Sequence, residues 1–172
     1  MDTQKTLRDG LLTVVLPAYN EQDSVPLAAD TICPLLEKAG IRHEILFVND
    51  GSRDGTWKAI EAQADRHPQV RGVCFSRNFG KEAAIFAGLA QAKGDCCVVL
   101  DCDLQHPPEK IVEMYRLWQQ GYQVVEGVKV TRGKESPLHT LAAKTFYHFI
   151  SSATKIDMSR ASDFRLLDRR AV

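Results

Sequence analysis

The feature that most constrains the fold is an unbroken apolar run that ends at two aspartates. Residues 96–100 are Cys-Cys-Val-Val-Leu, and Asp101-Cys102-Asp103 follows directly. A short apolar run that stops at polar residues predicts a strand buried on both faces, as in a parallel sheet. Ligands of open α/β sheets bind beyond the carboxyl ends of such strands, so this pattern predicts a site at the two aspartates.

The chemistry of the two aspartates indicates a hard metal ion. Asp101 and Asp103 carry carboxylate oxygens, the ligands that Mg²⁺ and Mn²⁺ prefer, and such cations are often shared between one or two carboxylates and substrate phosphates. The pair therefore predicts a cation that bridges a diphosphate to the protein. A solvated acidic loop is the alternative, since this spacing arises easily by chance. His106 is predicted to shape the loop, because no second His or Cys lies at ligand spacing.

Strand and helix patterns alternate along the chain. The predicted strands cover residues 11–17, 44–48, 70–75, 96–100 and 123–130. The predicted helices cover residues 24–39, 54–66, 81–92 and the segment between Pro108 and Gly121. Such alternation predicts an α/β fold with a Rossmann-like, mostly parallel sheet that has helices on both faces.

The ends of the first two helices carry local signals. Asp23 or Ser24 is predicted to cap the first helix, Gly40 to end it, and Asp54 to cap the second helix. Pro34 lies inside the first helix and predicts a kink, because proline lacks a backbone donor.

Composition limits the function classes. The 172 residues, 44% of them hydrophobic, suffice for a single domain over residues 1–172. Lys plus Arg equals Asp plus Glu at 22 each, so net charge gives no case for a nucleic-acid partner. The five cysteines lack metal-finger spacing and predict reduced core residues of a cytosolic protein. Residues 1–10 lack a signal peptide, and no apolar run reaches the roughly 18 residues of a membrane span, so we expect a soluble or peripheral chain.

The turns after the predicted strands are expected to share one cleft, because the carboxyl ends of parallel strands meet at one edge of the sheet. The four segments are 19–21, 49–52, 77–78 and 101–103. The chain has neither the G-x-G-x-x-G of a Rossmann dinucleotide site nor a Walker loop. A nucleotide here would therefore need a metal for its phosphates and side chains for its base, and Asp50 is placed to accept a hydrogen bond from a base or ribose.

Three segments together resemble glycosyltransferase family 2. They are Val14-Val15-Leu16-Pro17-Ala18-Tyr19-Asn20-Glu21, Val48-Asn49-Asp50-Gly51-Ser52-Arg53-Asp54-Gly55-Thr56 and Asp101-Cys102-Asp103-Leu104-Gln105-His106-Pro107-Pro108. Residues 76–81 and 162–169 are similar, more narrowly, to the branch of dolichol-phosphate mannose synthases and bactoprenol glucosyltransferases. The resemblance covers nearly the whole chain.

The resemblance implies a GT-A fold and an inverting transfer of a hexose from a nucleotide-diphosphate sugar to a polyprenyl phosphate, undecaprenyl or dolichyl, with Mg²⁺ or Mn²⁺. By position it implies that Asp101 and Asp103 serve the metal and the diphosphate, while Gln105 lies near the sugar. Asp103 and Gln105 are thus candidate catalytic residues. The residues that it implies around the nucleotide are Pro17, Tyr19, Glu21, Asp50, Arg77, Lys81 and Asp101.

A polyprenyl phosphate acceptor changes what the site must supply. A phosphate monoester with a second pKa of about 6 is already anionic near neutral pH, so cationic positioning matters more than a strong base. Lys129, Arg132 and Arg165 are the candidates for binding this phosphate, since Arg engages two oxygens at once. Asp163 is the candidate base if one is needed. The alternatives are solvated charges for Lys129 and Arg132, and a structural partner of Arg165 for Asp163.

Members of this branch usually continue past the segment at 162–169 into amphipathic and transmembrane helices, whereas this chain ends at Val172. We therefore expect a catalytic portion without its C-terminal membrane helices, from a protein of cell-envelope biosynthesis at the cytoplasmic face of the membrane. Residues 138–155 predict an amphipathic helix, either at a membrane surface or packed in the core. A homo-oligomer stays open.

Two other functions stay open as well. An enzyme that acts on a saccharide hydroxyl would need a general base, which Asp157 or Asp163 would supply. A nucleotide-sugar-binding module without catalysis would need the same donor cleft. The intact Asp101, Asp103 and Gln105 favour an enzyme, and the basic residues on the acceptor side favour a phosphate acceptor.

Overall fold

A computed structural model of the chain describes residues 7–128 and 164–172. The described residues up to Val125 and from Phe164 onward belong to one compact unit. Its strands are β1 (Leu12–Ala18), β2 (His43–Asn49), β3 (Val70–Cys74), β4 (Cys96–Val99), β5 (Val124–Glu126) and β6 (Arg165–Asp168). Its helices are α1 (Ser24–Lys38), α2 (Thr56–Arg66), α3 (Lys81–Gln91), α4 (Glu109–Gln119) and a 3-10 turn at Arg169–Ala171.

The sheet has the strand order β3-β2-β1-β4-β6-β5. β1 pairs in parallel with β2 and β4, and β2 pairs in parallel with β3. β6 pairs antiparallel with β4, with Val99 opposite Arg165 and Cys96 opposite Asp168. The expected mostly parallel sheet is confirmed. No strand was predicted at residues 165–168, because four residues with a charge at each end show neither an apolar run nor alternation.

Helices cover both faces of the sheet, as predicted. On one face, Val14, Leu16 and Phe47 belong to a large core that includes buried residues of α1, α2 and α4. On the other face, Leu46 and Val48 pack with α3. α3 lies so close that a Cβ on Gly88 would come 2.3 Å from Val15 Cγ1. β1 and β4 are buried at every position, which explains their nearly unbroken apolar runs.

The helix signals of the sequence are mostly confirmed. Gly40 and Gly121 follow α1 and α4 with φ of +67° and +110°, the left-handed conformation in which glycine is favoured. The kink expected at Pro34 did not break the helix, since α1 continues to Lys38. Proline can remain inside a helix when its buried face stabilises it, and α1 buries residues before and after Pro34.

The N-cap position of α1 was predicted correctly, but the predicted side-chain hydrogen bond of the cap is absent. Asp23 occupies the N-cap position, but its backbone is helical and its side chain makes no capping hydrogen bond. The carbonyl of Glu21 accepts instead from the N–H groups of Ser24 and Val25, at 3.1 and 3.0 Å. The Ser24 hydroxyl also donates to the Glu21 carboxylate at 2.5 Å. Glu21 therefore supplies the acceptors at the start of α1.

The described part of the last predicted strand is short. β5 covers three residues, whereas the prediction extended over 123–130, of which 129 and 130 lie outside the described residues. The helix predicted at 138–155 also lies outside them. In the ranges that are described, none of the helices combines the length and the apolar character needed to cross a bilayer.

Candidate functional site

A cleft of about 340 Å³ opens where β1, β2 and β4 end and α3 begins. It is lined by residues from all four of the segments that were expected to converge. They are Pro17, Ala18, Tyr19, Glu21, Asp50, Asn78, Gly80, Lys81, Ala84, Asp101, Cys102 and Asp103. The convergence follows from the parallel pairing, which aligns the strand ends at one edge of the sheet.

The loop after β1 is held against the loop after β2. Asn20 adopts a left-handed conformation with φ of +56°, and its backbone N–H donates to the Ser52 hydroxyl at 3.0 Å. Its side-chain oxygen accepts from the backbone N–H of Arg53 at 2.9 Å. These hydrogen bonds fix the turn that presents Tyr19, which lines the cleft and is 42% exposed.

The loop after β2 also touches the loop before α3. Gly51 has φ of +63°, and a Cβ at this position would lie 2.2 Å from the carbonyl carbon of Arg77. A side chain at Gly51 would therefore be strained and would displace the backbone of Arg77 and Asn78. Glycine is required here because two backbones approach each other directly.

Asp50 anchors the start of α3. Its carboxylate is 3% exposed and accepts hydrogen bonds from the backbone N–H groups of Phe79, at 2.7 Å, and Gly80, at 3.0 Å. Sequence reasoning missed this contact because the partners lie far along the chain and present only backbone atoms. Each carboxylate oxygen keeps a further lone pair, so a hydrogen bond to a nucleotide base stays a prediction.

Lys81, the first residue of α3, forms an ion pair across the cleft. Its Nζ lies 2.6 Å from Asp101 Oδ1, with the Lys81 and Asp101 side chains 39% and 30% exposed. The sequence placed Lys81 beside the nucleotide and Asp101 beside the metal, but did not predict that the two would contact each other. The contact places a positive charge directly on one of the two candidate metal ligands.

The second candidate metal ligand is held by its neighbour. Asp103 Oδ2 accepts from the Gln105 side-chain amide at 2.7 Å, and Asp103 Oδ1 accepts from the Gln105 backbone N–H at 3.2 Å. Leu104, between them, has φ of +54°, and its N–H donates to the Asp101 carbonyl at 3.2 Å. This tight turn presents both carboxylates together.

The residues present fit a divalent cation that arrives with phosphate groups. Among the residues that the structure describes, no three His, Cys, Asp or Glu side chains form a cluster able to hold a metal. Mg²⁺ and Mn²⁺ are commonly held by one or two carboxylates, with water and substrate phosphate as the remaining ligands. Asp101 and Asp103 both line the cleft and supply two such carboxylates.

Cys102, between the two aspartates, is chemically inert. Burial, together with the nearby carboxylates of Glu21, Asp103 and Asp101, raises the pKa of its thiol to about 12. A neutral thiol is neither a good metal ligand nor a nucleophile. Cys102 instead packs in the core beneath the site.

The predicted N-cap position of Asp54 is wrong by one residue, because α2 begins at Thr56 with Gly55 as its N-cap. The Asp54 carboxylate accepts from the backbone N–H of Thr56 at 3.0 Å and from the Thr56 hydroxyl at 2.5 Å. Burial raises the pKa of Asp54, but these hydrogen bonds and one from the backbone of Gln22 outweigh that effect, so its pKa lies below the ordinary value. Asp54 stabilises the start of α2 and holds the site loops together.

Arg77 and Gln105 do not line the cleft. The Arg77 guanidinium lies 4.8 Å from the centroid of the Phe79 ring, and that ring meets Phe75 edge-on at 5.5 Å. Their implied roles toward the nucleotide and the sugar stay predictions.

Of the residues predicted to bind the acceptor phosphate, Arg165 lies on β6. Arg165, partly buried, pairs across the sheet with Val99, close to the carboxyl end of β4. Its neighbour Phe164 is buried and stacks on the His106 ring at 5.0 Å, which agrees with the predicted loop-shaping role of His106. The other candidates for the acceptor phosphate, Lys129 and Arg132, and the candidate bases, Asp157 and Asp163, lie outside the described residues.

The fold is shared with solved glycosyltransferases of GT-A architecture. A mannosyltransferase from Pyrobaculum calidifontis, in complex with GDP-Man and Mn²⁺, superposes with a TM-score of 0.63 at 21% identity, over 95% of this chain and 46% of that one. Glucosyl-3-phosphoglycerate synthase from Mycobacterium tuberculosis, in complex with Mn²⁺, UDP and glucosyl-3-phosphoglycerate, superposes with a TM-score of 0.63 at 22% identity, over 93% and 57%. At these identities the likeness shows the GT-A fold.

Curated sequences are more similar. An uncharacterised glycosyltransferase of Bacillus subtilis (strain 168) is 38% identical over 92% of this chain and 49% of its own length. The bactoprenol glucosyl transferase of Shigella phage SfV is 38% identical over 94% of this chain and 53% of its own length. The chain thus spans about half the length of the curated relatives that it matches. The sequence model described as glycosyl transferase family 2 matches residues 13–171, and the chain therefore belongs to that family.

Proposed function

We propose that this glycosyltransferase is a metal-dependent, inverting hexosyltransferase that moves a hexose from a nucleotide-diphosphate sugar to a polyprenyl phosphate. The observation that carries the proposal is the pair Asp101 and Asp103 in one cleft with Tyr19, Glu21 and Asp50. A pair of carboxylates that share a cleft with polar and aromatic residues suits a diphosphate with a base attached.

Donor binding divides between two parts of the cleft. Pro17, Tyr19, Glu21 and Asp50 are at the ends of β1 and β2 and would line the nucleotide, with Arg77 in the adjoining loop. Asp101 and Asp103 would hold Mg²⁺ or Mn²⁺ and, through it, the diphosphate. The cleft volume of about 340 Å³ is within the range of small-molecule sites.

The reaction separates a sugar from a nucleoside diphosphate. A bound divalent cation would act as a Lewis acid toward the negative charge that develops on the departing diphosphate. Asp101 and Asp103 would hold the cation, Lys81 would add a second positive charge, and Gln105 would orient the sugar after release from Asp103. An acceptor oxygen that attacks the anomeric carbon from the face opposite the departing diphosphate inverts the configuration at that carbon.

The acceptor is proposed from its chemistry and from the relatives. A polyprenyl phosphate is anionic and needs cations, which Arg165 together with Lys129 and Arg132 would supply. Asp163 would serve as the base if the phosphate arrives protonated. Several relatives at 37–38% identity are named bactoprenol glucosyl transferases, which supports a polyprenyl acceptor for this chain.

The setting of the reaction is part of the same proposal. Residues 1–172 would form one GT-A domain of a longer protein of cell-envelope biosynthesis, working at the cytoplasmic face of the membrane. Residues 138–155 would lie at the membrane surface, where a polyprenyl phosphate presents its head group. Whether copies of the chain associate is an outcome for measurement by sedimentation.

The test is a transfer assay with chemically defined partners. UDP-glucose, UDP-galactose, GDP-mannose and related donors are each incubated with the chain, Mn²⁺ or Mg²⁺, and undecaprenyl or dolichyl phosphate in detergent. We expect one donor to give a glycosylated lipid, with the product lost in excess chelator. Transfer to a saccharide hydroxyl and not to the lipid, donor binding without turnover, or full transfer in chelator would each contradict the proposal.

A further inference from the structure

The ion pair between Lys81 and Asp101 bears on how a cation reaches the site. Lys81 Nζ lies 2.6 Å from Asp101 Oδ1. A divalent cation that uses the same oxygen would sit about 2 Å from it. An ammonium group and a metal ion so close together repel each other, so binding of one to Asp101 opposes binding of the other. Lys81 therefore competes for a ligand that the proposed metal site needs.

The backbone of Lys81 cannot easily move out of the way. Asp50 binds the N–H groups of Phe79 and Gly80, directly before Lys81, and Gly88 seats α3 tightly on β1. The Lys81 side chain, in contrast, is 39% exposed and has a flexible four-carbon stem. The ammonium group can thus change partner within the cleft while its α-carbon stays in place.

A diphosphate provides that alternative partner. The residues around Lys81 in the cleft include the carboxylates of Asp101, Asp103 and Glu21, so a free divalent cation and Lys81 are attracted to the same negative charges. A nucleoside diphosphate carries its own negative oxygens, to which an ammonium group donates readily. If the Lys81 ammonium group pairs with the diphosphate, the Asp101 carboxylate becomes available to the cation.

We propose that Lys81 couples the binding of the donor to the binding of the cation. This inference rests on the proposed function, since it assumes a diphosphate donor. Paired with Asp101, Lys81 weakens binding of a cation alone, and a nucleoside diphosphate removes that competition. Coupling of this kind is reciprocal, so a bound cation also favours the diphosphate-bound position of Lys81.

The size of the competition follows from charge. A monovalent and a divalent cation about 5 Å apart in a water-like medium repel each other enough to change affinity on the order of tenfold. We expect Lys81→Met to bind Mn²⁺ alone three- to tenfold more tightly than the wild type. The same variant should bind UDP or GDP in chelator three- to tenfold more weakly, because the nucleotide loses a cationic partner.

The measurement is Mn²⁺ binding by electron paramagnetic resonance and nucleotide binding by calorimetry on the full chain. Lys110→Met is the matched control, because Lys110 pairs with Glu113 at 2.7 Å on α4 and does not line the cleft. Lys81→Gln serves as a second variant should Lys81→Met melt at a lower temperature. The coupling is the ratio of Mn²⁺ affinities with and without nucleotide, and it should fall in both Lys81 variants and not in Lys110→Met.

The outcomes separate the inference from the proposed function. Opposite shifts for Mn²⁺ and nucleotide support the role of Lys81. Unchanged or weaker Mn²⁺ binding by the Lys81 variants, or no Mn²⁺ binding by any protein at millimolar concentration, overturns it. Failure of all proteins to bind any nucleoside diphosphate removes the proposed donor, whereas the comparison in Mn²⁺ alone still decides whether Lys81 and the cation compete.

Discussion

Carboxylates at the two edges of the sheet have opposite environments. At the amino edge of the parallel strands, Glu44 is 7% exposed and accepts from the Thr13 hydroxyl, the Lys93 N–H and Arg71 Nε at 2.7, 2.7 and 2.9 Å. At the carboxyl edge, Asp101 and Asp103 are held by side chains that are partly or largely exposed.

The same contrast holds for the second buried carboxylate of the amino edge. Asp168, 4% exposed, accepts from Trp118 Nε1 at 2.9 Å, Arg8 at 3.0 Å and Arg170 at 2.8 Å. Hydrogen bonds from Arg170 hold the pKa of Asp168 far below its ordinary value, although burial opposes them. Glu44 and Asp168 are buried and accept several hydrogen bonds each, which indicates a role in stability. Asp101 and Asp103 are more exposed and can exchange their partners.

The largest effect should come from the carboxyl edge. Asp103→Asn keeps the shape of the side chain but removes an anionic oxygen, so we expect sugar transfer to fall by roughly 100-fold or more. The melting temperature should stay within about 2 °C of the wild type, since Asp103 is exposed and its hydrogen bonds run to the neighbouring Gln105. Full sugar transfer by this variant in Mn²⁺ would contradict a role of Asp103 in the reaction.

The amino edge should respond in stability and not in donor binding. Asp168→Ala leaves the Trp118 indole N–H without its acceptor and the Arg8 charge without its partner. We expect the free energy of unfolding to drop by about 2–4 kcal/mol, measured by urea denaturation. Nucleotide affinity of the folded variant should be unchanged. A variant of wild-type stability, or one that folds but loses the nucleotide, would contradict this assignment.

Asp50 combines features of both edges, because it lies at the carboxyl edge yet is as buried as the acids of the amino edge. Asp50→Ala leaves two backbone N–H groups without an acceptor, so we expect a loss of about 2 kcal/mol in the free energy of unfolding. UDP or GDP and the matching nucleotide sugar should lose affinity equally. Calorimetry that finds unchanged nucleotide affinity would leave Asp50 with a structural role alone.

The smallest effect is a dependence on pH. Burial raises the pKa of Glu44, but its hydrogen bonds outweigh burial, so Glu44 and Asp168 both have a lowered pKa in the folded state. The unfolded chain then binds more protons as pH falls through the ordinary values of 4.5 and 3.8. We expect the contribution of these two acids to stability to be constant above about pH 6 and to decline below about pH 5.

The control for this prediction is Asp168→Asn, in which the decline below about pH 5 should become shallower. Urea denaturation at a series of pH values measures it. An equal slope in the variant and the wild type would show that Asp168 does not contribute to the acid response.

Sequence patterns predicted those parts of the fold whose cause is local. Buried parallel strands such as β1 and β4 need unbroken apolar runs, so their bounds were placed within one or two residues. The glycines after α1 and α4 likewise mark their own helix ends. The convergence of Asp50 and Asp101 followed from the parallel order of the strands.

The features that sequence reasoning missed depend on distant partners. β6 forms because residues 165–168 find the free edge of β4, and nothing within those four residues indicates it. The grip of Asp50 on the backbone before α3, and the ion pair of Lys81 with Asp101, likewise join segments far apart in the chain. The sequence showed the chemistry of each of these residues and the strand that it follows. It did not show which distant residue would be the hydrogen-bond or ion-pair partner.

The antiparallel insertion of β6 has a consequence for synthesis of the chain. β4 is completed on one side by β1, from earlier in the chain, and on the other by residues near position 168. While the ribosome has not yet released β6, the apolar β4 is therefore an unprotected edge, and such edges pair readily with other chains. Folding of this edge of β4 must wait for β6, so chains that stop before residue 164 should aggregate.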